Sequence, residues 1–244
     1  YEAMQRMQAG SLRRTVILTG ARRVGKTTIQ YQMIDSLLKQ KVPPQKILFV
    51  ALDHPLLKLA SFQDILDVYH ETICPDKDVY YFFDEIQYAP DWDKWLKIIY
   101  DTQENTKTVV TGSASPVLYA GSSESGTGRF SLISVPTLSF YEYCALLNIS
   151  LPDLPADLRP SSFKSMSQQE RGQVMMKLSG LQNHLTRYMM LGGFPELALA
   201  KSDVLAQQIL REDVVDKVLK RDLPSLYGIR NPLELERIFL YLCK

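Results

Sequence analysis

TVILTGARRVGKTT, residues 15–28, is the stretch from which the fold can be argued. Thr15–Thr19 form a near-continuous apolar run, the pattern of a strand buried on both faces. Gly20-Ala21-Arg22-Arg23-Val24-Gly25-Lys26-Thr27 then match G-x-x-x-x-G-K-T. Glycines at the fixed positions let the backbone curl round a phosphate so that successive N–H groups point inward. Lys26 would bring a point charge to the β- and γ-phosphates, and the Thr27 hydroxyl would ligate Mg²⁺. Downstream, Ile29, Met33 and Leu37, with Ile34 and Leu38, make one apolar stripe, so a helix begins at the motif and adds its positive dipole end. Strand, glycine loop and amphipathic helix follow one another in the order the motif needs.

Working outward, four more apolar runs alternate with helical patterns: Ile47–Leu52, Val79–Phe83, Thr108–Thr111 and Ser131–Val135. That alternation predicts an α/β fold with a parallel sheet covered on both faces. Trp92, Trp95, Leu96 and Ile99 fall at helical spacing, and the tryptophans read as core packing. The third run ends in Asp84-Glu85, two carboxylates at the C-terminal end of a buried strand, where such sheets bind ligands. The spacing predicts Asp84 for the metal and Glu85 for polarising an attacking water.

Three further positions are weaker candidates. Thr111-Gly112-Ser113 end the fourth strand, expected between the phosphate-loop strand and the Asp84 strand. A hydroxyl there could sense a γ-phosphate, and a plain strand-to-turn exit explains the same residues. Arg129, just before the fifth strand, reads either as an arginine finger, in cis or from a neighbour, or as a solvated loop arginine. Gly192-Gly193-Phe194-Pro195 is sufficient to stop one helix and start the next.

A formal net charge of +1 gives no global field for holding a polyanion, so any nucleic-acid contact would come from a local patch. Basic residues do cluster before and within the motif (Arg6, Arg13, Arg14, Arg22, Arg23, Lys26). Cys74, Cys144 and Cys243 lie far apart, and with His54, His70 and His184 they form no zinc spacing or disulfide framework. No apolar run reaches bilayer length, and a reducing cytoplasm with no membrane partner is the expected setting. The Gly/Ser-rich stretch 121–128 reads as a surface loop. Beyond Ser139 strand signals stop. Pro152, Pro155 and Pro160 suggest a linker over 149–165, and helical patterns follow over 167–190, 203–221 and 232–243. The opening Tyr1 and the apolar stripe Leu235, Ile238, Phe239, Leu242 in the last helix lead us to expect a trimmed start and a cut through a further domain.

In order along the chain stand TGARRVGKTT, FFDEIQ, TGSAS, GRF, PTLSFYEY, GGFPE and KRDLPSLYGIR. This series resembles a prokaryotic AAA+ ATPase family close to the archaeal ATPases and the STAND signalling ATPases. The resemblance implies an ASCE/AAA+ P-loop NTPase core, a three-layer sandwich with sheet order 5-1-4-3-2 over residues 1–148. A linker over 149–165, a helical lid over 166–230 and the start of a truncated winged-helix domain over 231–244 would follow. It implies ATP and Mg²⁺ as cofactors and ATPase or switch activity, the alternative being a nucleotide-binding scaffold with little hydrolysis that serves as a regulatory or nucleic-acid-associated module. Nucleotide contacts would come from Gly20, Ala21, Arg22, Arg23, Val24, Gly25, Lys26, Thr27 and Thr28, the sensor from Ser113 or Thr111, and the lid contact from Gly193 and Pro195. Thr27 and Asp84 would hold the metal, and Lys26, Glu85 and Arg129 would be catalytic. Self-association would run through Arg129, and a nucleic-acid or protein partner would meet domains beyond residue 244. No second sensor arginine is evident in the lid.

Overall fold

Thr15–Thr19 is buried along its whole length, as its unbroken apolar character requires, and it is strand β1 of a five-stranded sheet. The computed structural model describes residues 2–8, 13–112, 128–155 and 158–242. The other strands are β2 (Ile47–Ala51), β3 (Tyr80–Asp84), β4 (Lys107–Gly112) and β5 (Phe130–Ser134). All pairings are parallel and the order is β2-β3-β4-β1-β5, the expected 5-1-4-3-2 seen from the other edge. β4 therefore lies between β1 and β3, and three strands deliver their C-terminal ends side by side.

Alternation along each strand sorts the two faces. Val16, Leu18, Phe82 and Val109 pack with Met33 and Leu37 of helix α2 (Lys26–Lys39). On that same face lie Ala3 and Met7 of a seven-residue helix, α1 (Glu2–Gln8), which the periodicity analysis does not find. Ile17, Tyr81, Phe83 and Val110 pack instead against α3 (Phe62–Thr72) and α4 (Trp92–Thr102). Trp92, Leu96 and Ile99 are buried there with Trp95 partly covered, so the tryptophans are core. Each largely apolar strand thus has a helical layer on either side.

The chain divides into two compact units, residues 1–136 with 216–244, and residues 137–215. In the second, reciprocal capping boxes start two helices: Ser139 with Glu142 opens α5 (Phe140–Leu146), and Ser167 with Glu170 opens α6 (Gln168–Leu178). Phe140, Tyr143 and Tyr188 cluster where α5 meets α7 (Gln182–Leu191). Arg187 directs its guanidinium to Tyr143 Oη at 3.0 Å, the carbonyls of Ala198 and Ala200 at 2.9 Å, and Asp203 Oδ1 at 2.7 Å. One arginine thereby ties α5 to the end of α8 (Pro195–Ala198), to the loop after it and to the start of α9 (Asp203–Ile209). In the first unit, α10 (Leu223–Tyr227) and α11 (Pro232–Leu242) complete the helices, and no described residue of α11 is buried.

Gly193 holds the second unit together by close approach. The Leu138 N–H donates to its carbonyl at 2.6 Å, and a Cβ built on Gly193 would lie 2.1 Å from the Leu138 carbonyl oxygen. Gly193→Ala is expected to destabilise the chain by about 1–3 kcal/mol, an overpacking cost. Urea unfolding measures it, and faster amide exchange at Leu138 locates it.

Candidate functional site

At the C-terminal edge of the sheet, β1 runs into residues 20–25 and then α2. The turn is tight. A Cβ on Gly20 would meet the Val135 carbonyl oxygen at 2.2 Å, because Val135 closes on Thr19 O through its N–H at 2.7 Å. Arg23 and Gly25 take left-handed φ values of 62° and 94°. Gly25 is the N-cap of α2 and supplies no side-chain cap, leaving the helix's first N–H groups facing the loop. Val24 is buried beneath the loop, Ala21 and Thr28 are exposed, and Arg22 and Arg23 lie between these extremes. Lys26 is 5 % exposed, with Nζ 3.0 Å from Gly20 O and 2.8 Å from Ala21 O, so the ammonium is held inside the curl of its own loop.

Thr27 makes the connection to the second half of the site. Its Oγ1 donates to Asp84 Oδ2 at 2.9 Å and lies 3.1 Å from Oδ1. Asp84, the last residue of β3, is buried. Its Oδ1 also accepts from Thr111 Oγ1 on β4, and that same hydroxyl accepts the Glu85 N–H at 3.0 Å. Thr111 therefore touches both acids at once. Glu85 adopts φ 55°, a left-handed conformation that costs a non-glycine residue energy, and its carboxylate accepts from Gln87 Nε2. Two strand ends and one helix start converge on a single carboxylate.

This donor set fits a hard divalent cation that keeps most of its shell as water and phosphate. A hydroxyl and a carboxylate oxygen are within hydrogen-bond distance, and among the described residues there is no group of three or more His, Cys, Asp or Glu that would build an all-protein cage. Magnesium binds in that way, whereas zinc and calcium take more protein ligands.

The remaining sequence candidates are Ser113, Arg129, Gly193 and Pro195. Ser113 falls outside the described residues. Arg129 precedes β5, whose first residue, Phe130, pairs with Thr15, while the loop leaves β1 after Thr19. The length of a five-residue strand, roughly 16 Å, separates Arg129 from this cradle. Its guanidinium pairs with Asp101 at 2.9 Å and lies over the Tyr100 ring at 5.9 Å. Gly193 and Pro195 belong to the second unit, where Pro195 opens α8. Sequence reasoning missed Gln87, whose only signal was its place two residues after the acid pair.

The model of a family described as an AAA domain matches residues 12–144, and that of a domain of unknown function matches residues 182–244. An uncharacterized protein of Methanocaldococcus jannaschii is 27 % identical over 227 residues, covering 90 % of this chain and 44 % of the relative. An uncharacterized protein of Haemophilus influenzae is 23 % identical over 230 residues, covering 93 % and 50 %. The chain thus spans about half the length of the curated relatives it matches. Among solved structures, the S. cerevisiae Hsp104–ADP complex aligns with TM-score 0.49 at 18 % identity, over 97 % of this chain and 36 % of that one.

Thr111→Val keeps the shape of the side chain but leaves Asp84 short of a donor and the Glu85 N–H without its acceptor. Orphaning buried polar groups of this kind costs about 1–3 kcal/mol. A urea midpoint equal to that of the parent chain would show that the hydroxyl does not hold the acid pair.

Proposed function

The chain belongs to the AAA domain family of P-loop nucleotide-binding proteins, and from that membership we propose that it binds ATP with Mg²⁺ and hydrolyses it as a molecular switch of the STAND type. The observation that carries this reading is the 2.9 Å contact between Thr27 Oγ1 and Asp84 Oδ2, which joins a phosphate loop to an acidic strand end 57 residues away.

The loop amides and the N-terminal end of α2 cradle the phosphates, and Lys26 exchanges its two carbonyl partners for phosphate oxygens of higher charge. Thr27 and Asp84 hold Mg²⁺, which neutralises developing charge on the phosphates when bound. Glu85 polarises the attacking water, and Thr111 fixes the backbone from which that carboxylate projects. Arg129, at the far end of β1, serves the site of a neighbouring copy rather than its own. The helical region 166–230, with Gly193 and Pro195, acts as the lid that distinguishes triphosphate from diphosphate, since a ligand shifts an equilibrium only through differential affinity. A nucleic-acid or protein partner would engage parts of a longer protein, in a cytoplasmic setting. The Gln87 contact to Glu85 favours a second reading, a nucleotide-binding scaffold in which the base is withheld and turnover is slight.

At a ligand concentration about a hundred times Kd, ATP–Mg²⁺ should stabilise the chain by about 2.7 kcal/mol, read as a thermal shift. Lys26→Ala is expected to remove that shift. Glu85→Gln is expected to keep it and to lower steady-state phosphate release on the order of a hundredfold or more. A parent chain that binds but releases no phosphate would select the scaffold reading. For Arg129 acting in trans, turnover per chain should climb with protein concentration, and Arg129→Ala should flatten the curve. A concentration-independent rate would remove Arg129 from that role.

A further inference from the structure

A cavity of about 300 Å³ lies beyond the C-terminal ends of β2 and β3, on the α3–α4 face of the sheet. It is separate from the phosphate loop. β4 stands between β3 and β1, and α2 covers the opposite face. Leu52, Leu57 and Ile65 supply aliphatic wall, and Phe62, Tyr88 and Trp95 supply aromatic wall. Phe62 and Trp95 are nearly parallel, with centroids 6.0 Å apart. The volume is near the lower end of small-molecule sites, which begin at roughly 300 Å³, and suits a group of phenyl-ethyl size.

Among the described residues that line the cavity, charge is of one sign. Asp91 is the one charged residue among the described residues that line it. Asp91 occupies the N-cap position of α4 with φ 53° yet makes no capping bond, and its carboxylate points instead to Lys94 Nζ at 2.8 Å. Both partners of that i,i+3 pair are largely exposed, so a competing cation displaces Lys94 readily. A second carboxylate, Asp64, is bound to Ser61 of the lining. Aromatic faces add their negative quadrupoles, which favour cations over neutral or anionic groups.

We propose that this cavity binds a small organic cation, a protonated amine on an aromatic or branched aliphatic body, with the body among Phe62, Tyr88 and Trp95 and the ammonium on Asp91. The wall from Tyr88 to Asp91 continues directly from the turn Ile86–Tyr88 that follows Glu85. Left-handed residues bound this strap at each end, Glu85 at φ 55° and Asp91 at φ 53°. An occupant therefore bears on the backbone beside the acid pair. Binding itself is independent of the hydrolytic reading above.

The test uses the whole chain without nucleotide, with fluorotryptophan at both tryptophan positions and fluorine NMR as readout. Phenethylamine should shift the Trp95 resonance saturably and leave the Trp92 resonance in place, and it should slow exchange of the Tyr88 and Ala89 amides. Phenylacetate, the charge-reversed probe, should bind about tenfold or more weakly, and Asp91→Asn should weaken phenethylamine by about the same factor, as loss of a charged hydrogen bond does. Lys94→Ala, which removes the competing ammonium, should tighten binding. Ala60→Phe fills the cavity and should abolish the Trp95 shift. Equal binding of the amine and the carboxylate, indifference to Asp91→Asn, or no saturable shift at Trp95 would each overturn the proposal.

Discussion

A buried carboxylate at the edge of a parallel sheet has to be satisfied, and Asp84 is satisfied by two threonine hydroxyls from different directions. Thr27 comes from the first turn of α2 and Thr111 from the end of β4. An unpaired anion there would be costly enough to open the edge. The constraint therefore fixes three chain segments relative to one another: the loop that follows β1, the strand that carries the acids and the strand between them. Both hydroxyls are also hard oxygen donors, so groups that satisfy the carboxylate in the absence of ligand are of the type a magnesium–triphosphate complex would need.

Glu85 inherits its position from this arrangement. A glutamate at φ 55° is unfavourable by itself and persists only where its surroundings over-determine it. Thr111 accepts its N–H, the Tyr88 N–H reaches back to its carbonyl at 3.1 Å, and Gln87 donates to its carboxylate. A residue so held projects from a backbone fixed at its N–H, its carbonyl and its carboxylate. The Gln87 contact joins the strap from Ile86 to Asp91 to the second acid of the pair.

Much of this was legible in the sequence because the signals were redundant. A doubly buried strand reads as an unbroken apolar run, so β1 to β5 were found to within about a residue, and Trp92, Leu96 and Ile99 announced their buried face by spacing. Lys26, Thr27 and Asp84 follow from a motif whose chemistry dictates its residues. Other features left no such trace. α1 has only seven residues and buries two, too few to establish a period. Thr111 stands out as one of two candidate hydroxyls at a strand exit, but its double contact to Asp84 and the Glu85 N–H is visible only in the structure. Arg129 neighbours the fifth strand in sequence, but only the parallel register reveals that it stands at the opposite end of β1 from the phosphate loop.

Gln30 shows how far the same coupling extends beneath the site. One turn beyond Lys26 on α2, it is fully buried, and its Nε2 donates to Phe83 O at 3.2 Å and Val109 O at 3.4 Å. Its own Oε1 is buried without a hydrogen-bond partner among the described residues, a cost of about 1–3 kcal/mol that an apolar residue would not incur. A leucine would fill the same space more cheaply but would not bond the helix to the carbonyl immediately before Asp84. With the glutamine, α2 is attached to β3 twice, through Thr27 at the carboxylate and through Gln30 at the backbone behind it. Two attachments resist rotation where one would permit it, so the helix that carries Lys26 and the strand that carries the acids behave as a single rigid part.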